Sequence, residues 1–199
     1  MLVGTVWLFG GIAEDVITGD PLVLIDQGLS EWFRSHATPR FTEAMHVVSA
    51  LAAPATVSTL SITMIILLLW QRLCYWLLAL TLAVAGGLCL NVLLKVLFDR
   101  ERPGWADAAL TDAGFPSGHT MIAAILYGFV AIYLILLINS WGVRCIIALV
   151  TINLVFLVAL SRLYLGAHYL SDVVSAMAAG LAWLALCLTA VEALRRYRA

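Results

Sequence analysis

Charge is what this sequence has least of. Only 12% of its 199 residues are Asp, Glu, Lys or Arg, about half the share found in an ordinary soluble domain. So few charges cannot cover the surface of a water-soluble fold, and that class is excluded. Hydrophobic residues make up 63% and the mean hydropathy is +1.02, so the bilayer is the solvent for most of the surface. The four cysteines, Cys74, Cys89, Cys145 and Cys187, show no CxxC spacing, and each lies in or beside an apolar run. That pattern argues against a disulfide framework or a zinc site. No basic run precedes the last five residues, which argues against nucleic acid as a partner. Met1 to Ala13 is apolar without a single Lys or Arg and therefore lacks the basic start of a signal peptide. No repeat, linker or low-complexity segment interrupts the chain.

What is present is a series of apolar runs separated by polar punctuation. The length fits one domain, residues 1–199. The first run, roughly Leu2 to Val16, is short for a full crossing of about 20 residues. It reads as a half-buried first helix, or as the cut end of a longer one, with this domain the C-terminal part of a longer chain. Thr18 to Glu43 is polar. Within it Leu22, Val23, Ile25, Leu29, Trp32 and Phe33 alternate with Asp26, Glu31 and Arg34. That spacing predicts an amphipathic helix at the interface, with Trp32 and Phe33 toward lipid. Five further runs are expected as spans: Ala44 to Trp70, kinked at Pro54, then Tyr75 to Phe98, His119 to Ile138, Cys145 to Leu163 and Ala167 to Leu194. Gly86 and Gly87 allow close helix contact in the third span. The expected fold is an all-α membrane bundle of about six transmembrane helices.

Six helices put alternate loops on opposite sides. One side carries the turns at Arg72 and Arg144 and the tail bases Arg195, Arg196 and Arg198, with Glu192 as its one nearby acid. The other carries Asp15, Asp20, Asp26, Glu31, Glu43, Asp99, Glu101, Asp107 and Asp112, with several bases among them. The rule counts Lys and Arg, and the raw counts are close. The bases of the acidic side belong largely to the group described next. The remainder favour the Arg72, Arg144 and tail side as cytoplasmic, with the long polar loops facing outward.

Ionisable residues at the ends of spans are costly and call for a functional reading. Lys95 lies near the end of the third span, Arg102 in the following loop, Ser117-Gly118-His119 at the start of the fourth, Arg162 at the end of the fifth, and His168 and Asp172 at the start of the sixth. Span counting alone brings all of them to the outward side. Lys95, Arg102 and Arg162 supply three positive charges, two of them as planar forks that match phosphate oxygens. Pro116-Ser117-Gly118-His119 opens a helix whose free N–H groups and dipole attract an anion, and Gly118 lets backbone approach a ligand. That is more than a carboxylate requires. A phosphate or pyrophosphate is the natural partner.

His168 and Asp172 stand four residues apart at a helix start, so they are expected to share a face. The carboxylate would then accept the Nδ1–H bond and leave Nε2 free to attack. His119 on the neighbouring span can protonate the departing oxygen and then activate water. Taken singly, these residues have ordinary readings. A lone Lys or Arg snorkels, a lone Ser caps a helix, and a His–Asp pair is a common helix-surface contact. Arg100, Asp99 and Glu101 read as solvated loop charges outside the site, and His36 and His46 as structural. The functional reading stands on the joint pattern.

That pattern is Lys95-x6-Arg102-Pro103, then Pro116-Ser117-Gly118-His119, then Ser161-Arg162-x5-His168-x3-Asp172. It resembles the three-part motif of the type 2 phosphatidic acid phosphatase superfamily, with all parts present in order and no position departing. The short first helix is the one departure in layout. The resemblance implies a metal-independent, cofactor-free lipid phosphatase of a cytoplasmic (inner) membrane, working through a phosphohistidine. By carry-over, Lys95, Arg102, Ser117, Gly118 and Arg162 would bind phosphate, His168 would be the nucleophile, His119 the acid and Asp172 the orienting partner. The implied substrates are phosphatidic acid, phosphatidylglycerol phosphate or a polyprenyl pyrophosphate such as undecaprenyl pyrophosphate. Membrane lipids are the implied surroundings, and the sequence sets no oligomeric state. Three rivals remain at this level. One is a lipid phosphotransferase using the same phosphohistidine. Another is a non-catalytic lipid-phosphate transporter or flippase. The third is a vanadate haloperoxidase, which shares the motif but is soluble.

Overall fold

In hydrocarbon each backbone N–H and C=O must be satisfied within the protein, so long apolar runs fold as helices. A computed structural model describes residues 2–18, 21–105 and 113–198. The acids Asp20, Asp107 and Asp112, assigned above to the outward side, lie outside these residues. Among the described residues there are eight helices: α1 Leu2–Thr18, α2 Pro21–Ser35, α3 Pro39–Ala50, α4 Pro54–Trp70, α5 Cys74–Phe98, α6 Gly118–Leu137, α7 Trp141–Tyr164 and α8 Leu170–Arg198. Five segments are long and apolar enough to cross a membrane: Pro39–Trp70, Cys74–Phe98, Gly118–Leu137, Trp141–Tyr164 and Leu170–Arg198. About six transmembrane helices are expected from the sequence; five segments have the length and apolarity for a crossing, and α1, with 17 residues, packs beside them along α8.

The second span is more than kinked. Pro54 has no N–H to donate, and Ala53 before it is extended at φ −67° and ψ 152°. These two restrictions end α3 at Ala50 and start α4 afresh. The sixth span also begins later than its apolar run. Ala167, His168 and Tyr169 form part of the loop before α8. This shift of three residues changes the geometry of the site below.

α6 is the centre of the bundle. It packs against α5, α7 and α8, and Met121, Ile125, Leu126 and Phe129 along it are essentially inaccessible. Small residues permit this closeness. A Cβ on Gly180 of α8 would stand 2.9 Å from the Met121 carbonyl oxygen and 3.3 Å from Ala124 Cβ. Trp183 of α8 covers Gly86 and Gly87 of α5, and its indole N–H reaches the Leu82 and Ala83 carbonyls at 3.2 Å. Gly180→Val is therefore expected to destabilise the bundle by ~1–3 kcal/mol through overpacking against backbone. The measurement is the thermal unfolding midpoint in detergent, and an unchanged midpoint would count against this contact.

α2 departs from a simple interfacial helix. Trp32 is exposed and stacks on His36 at 4.6 Å. Phe33 instead packs edge-on against Tyr164 of α7 at 5.9 Å. Asp26, expected on the polar face, is 1% exposed. The reason is a buried partner, described next.

Candidate active site

Four helix ends meet at one end of the bundle. The C-terminus of α5 delivers Lys95, the segment after it Arg100 and Arg102, the start of α6 Gly118 and His119, and the end of α7 Arg162. The loop before α8 delivers His168. Backbone contacts lock these pieces together. Gly114 N–H donates to the Arg100 carbonyl at 2.7 Å, and Ser117 N–H to the Asp172 carbonyl at 3.0 Å.

A cavity of about 320 Å³ opens here. Its polar lining includes Asn91, Lys95, Arg102, Gly118, His119, Arg162 and His168. The apolar remainder comes from the α3–α4 break, from Ile122 of α6 and from Leu88 of α5. Leu88 is itself 48% exposed, so the cavity is charged at one side and continuous with the apolar outer surface at the other. Arg162 is buried and donates from Nη1 to Ser49 Oγ at 2.7 Å, which aims it from α7 across to α3. A second cavity of about 360 Å³ lies between α5, α6 and α8 at their other ends. The charged groups of its lining, Glu192 and Arg195, bond to each other at 3.0 Å, so it offers an anion no comparable cluster.

His168 is 3% exposed, and two contacts define its protonation. Nδ1 lies 2.7 Å from the Gly114 carbonyl oxygen. A carbonyl only accepts, so Nδ1 carries the proton and donates. Nε2 lies 3.2 Å from Arg102 Nη1. A guanidinium only donates, so Nε2 presents its lone pair. Both contacts require the same neutral tautomer. Burial pushes the His168 imidazole below the usual histidine range; Asp172 opposes this, while Arg102 and Arg162 add to it. Arg102 also donates to the Ala167 carbonyl at 2.7 Å, which holds its fork beside Nε2 of His168.

The expected His168–Asp172 hydrogen bond is not formed. Asp172 Oδ2 is 3.6 Å from Nδ1, too far for a hydrogen bond. The two residues do not share a helix face, because α8 begins at Leu170. Asp172 occupies the third position of that helix, and its Oδ2 accepts the Tyr169 N–H at 2.7 Å, half of a capping box. Its Oδ1 accepts from Arg100 Nη1 at 2.6 Å. With both oxygens engaged, Asp172 acts on the imidazole through its charge, and the Gly114 carbonyl orients the ring. Ser117 is not among the residues that line the cavity. It is fully buried, and its hydroxyl shares a 3.1 Å hydrogen bond with Thr120 Oγ1.

Sequence reasoning missed three contributors. Asn91 of α5 lines the cavity and donates to the Pro116 carbonyl at 3.4 Å. A polar Asn inside an apolar run was a usable signal. Asp26 lies in α2, 74 residues from the Arg100 it binds, and nothing local marks it. Arg100, read above as a solvated loop charge, is part-buried between Asp26 and Asp172.

A family model described as the PAP2 superfamily matches residues 75–196. The chain belongs to the PAP2 superfamily. Among curated proteins this PAP2 chain is similar to phosphatidylglycerophosphatase B of Bacillus subtilis (strain 168), 32% identical over 111 residues. That alignment covers 55% of each protein, so it spans about half the length of the relative. Among solved structures, the PAP2 chain superposes on a transmembrane PAP2-type phosphatidylglycerolphosphate phosphatase from Bacillus subtilis. The TM-score is 0.87 with 25% identity, over 98% of both chains. Aquifex aeolicus LpxE shares the fold at a TM-score of 0.66 and 20% identity, over 83% of this chain and 95% of the other.

Proposed function

We propose that this PAP2 chain is a membrane lipid phosphatase that cleaves a phosphate monoester or pyrophosphate of a lipid through a phosphohistidine at His168. The observation that carries the reading is the tautomer of His168, with Nδ1 on the Gly114 carbonyl and Nε2 directed at Arg102. A neutral imidazole with a bare nitrogen beside a guanidinium is a nucleophile set next to its anion-binding group. The other cations of the cavity are Lys95 and Arg162. Phosphoryl transfer depends mainly on positioning and charge stabilisation, and these groups supply both.

In the first step the phosphate oxygens take over the fork of Arg102, with Lys95, Arg162 and the Gly118 N–H around them. Nε2 attacks phosphorus, the bond to the leaving oxygen breaks, and that oxygen takes a proton from His119. Nδ1–H stays on the Gly114 carbonyl and stabilises the charge that develops on the ring. In the second step His119 takes a proton from water, whose oxygen displaces Nε2 from phosphorus. The products are inorganic phosphate and the dephosphorylated lipid. Charge neutralisation comes from side chains of the chain itself, so no metal is required. The apolar side of the cavity, past Leu88, suits the first carbons of a lipid chain entering between helices. The relatives' names point to phosphatidylglycerol phosphate as the first substrate to try. The arginine distribution supports an inner-membrane protein with this site facing outward.

The test is a phosphate-release panel with the purified chain in detergent, comparing phosphatidic acid, phosphatidylglycerol phosphate and undecaprenyl pyrophosphate. At least one is expected to be turned over without an added acceptor, and activity is expected to persist in EDTA. Binding without release would favour a transporter. Release that depends on an acceptor would favour a phosphotransferase. Abolition by chelation would exclude the metal-free mechanism.

A further inference from the structure

Arg100 is not among the residues that line the cavity, yet it joins α2 to the start of α8. Its Nη1 donates to Asp172 Oδ1 and to Ser171 Oγ, both at 2.6 Å. Its Nη2 donates to Asp26 Oδ2 at 2.8 Å, and the guanidinium lies 4.7 Å above the Tyr169 ring. Asp26 in turn accepts the Ser171 N–H at 3.0 Å and the Ser171 hydroxyl. We propose that Arg100 is a positioning residue that ties α2, through Asp26, to Asp172 and thereby holds the His168 ring in its reactive form. The proposal rests on the phosphatase reading above.

Two observations carry it. The first is geometric. Apart from the Arg100–Asp26 pair itself, the contacts of the cluster fall on the first turn of α8 or the residue before it, the turn that carries Asp172 and follows His168. Both carboxylates are fully buried at their side chains, and that of Arg100 is only 13% exposed. Buried charges of this kind are tolerated only when every partner is in place. The second is electrostatic. An Asp172 carboxylate 3.6 Å from Nδ1, left alone, would favour the imidazolium and remove the Nε2 lone pair. Arg100 on its other oxygen offsets that field. Burial works against the charge of Arg100, but Asp172 and Asp26 outweigh it and hold the guanidinium above its ordinary range. Among the described residues, Arg102 and Arg162 also act on the His168 ring. Arg100 is the cation in contact with an Asp172 oxygen, at 2.6 Å, and so offsets its charge directly.

The test uses the full chain and phosphatidylglycerol phosphate, with Arg100→Gln, Arg100→Lys and Asp26→Asn. Gln retains a hydrogen bond to Asp172 and loses the charge. Arg100→Gln is expected to lower kcat roughly 10–100-fold, as loss of such supporting contacts does elsewhere, with KM within about threefold. The sign of the pH effect follows from the charge lost. Without Arg100, the Asp172 field raises the His168 pKa, so the acid limb of kcat/KM moves to higher pH, by about one unit. A merely structural role would lower the unfolding midpoint and leave that limb in place. An unmoved limb, or a loss confined to KM, overturns the proposal. Should Arg100→Gln fail to fold, Arg100→Lys keeps the charge but cannot bridge both carboxylates. It and Asp26→Asn are each expected to lower kcat several-fold with the limb not raised, and wild-type kcat in either overturns the proposal. The pH dependence of His168 modification by diethyl pyrocarbonate reads the same shift without turnover. A wild-type chain that releases no phosphate therefore sinks the phosphatase reading, while this inference still stands or falls on the modification curve.

Discussion

His168→Ala is expected to lower phosphate release from every lipid substrate by a factor on the order of 10⁴ or more. The magnitude follows from the role. His168 would form the bond to phosphorus, and no other described side chain of the cavity presents a neutral nitrogen held from behind by a carbonyl and faced by a guanidinium. The remaining cations would still bind phosphate, so KM is expected to move far less than kcat. A control is needed, because removing the ring leaves the buried Gly114 carbonyl without its donor, a cost of ~1–3 kcal/mol. His168→Asn supplies an amide N–H near the position of Nδ1 and has no basic nitrogen to attack with. Equal losses in the Ala and Asn variants, with a near wild-type unfolding midpoint for Asn, would assign the loss to chemistry. Release of phosphate by either purified variant at the wild-type rate would exclude a phosphohistidine at this position.

The features legible in the sequence share a physical cause. Apolar runs of about twenty residues must become helices in hydrocarbon, so the spans were readable to within a few residues. Alternation across the membrane then brought Lys95, Arg102, Gly118, His119, Arg162 and His168 to one end, and these six line one cavity. What was not legible depends on backbone and on distance. The bond from His168 to Gly114 involves a carbonyl, which any residue supplies, so no residue type announces it. The start of α8 at Leu170 rather than Ala167 is set by Asp172 capping Tyr169. That choice separates His168 from the helix and breaks the i,i+4 geometry assumed for the pair. Arg100 has charged neighbours on both sides, Asp99 and Glu101, and on composition alone belongs in solvent. Its partners lie 72 and 74 residues away, and their burial arises from packing α2 against the start of α8. Ser117 shows the converse. A motif position assigned to the ligand turns inward to Thr120, because its N–H is committed to the Asp172 carbonyl.

His119→Ala is expected to give a loss that depends on the leaving group, and this separates the two histidines. Both line the same cavity, but in the proposed cycle His119 never bonds to phosphorus. It gives a proton in the first step and takes one in the second. A lipid alkoxide is a poor leaving group without that proton, so turnover of a monoester is expected to fall by ~10²–10⁴. A pyrophosphate leaves as a phosphate oxygen, which needs the proton less, so its loss is expected to be smaller. With an aryl phosphate such as 4-nitrophenyl phosphate, the leaving phenolate needs no proton and the first step survives. The second step still lacks its base. Phosphoenzyme should then accumulate, seen as a burst approaching one nitrophenolate per chain, and as protein-bound phosphate stable in alkali and lost in acid. His168→Ala should show neither burst nor label. Equal losses of His119→Ala on all three substrates, without a burst, would reduce His119 to a phosphate-binding group and pass both proton transfers to solvent.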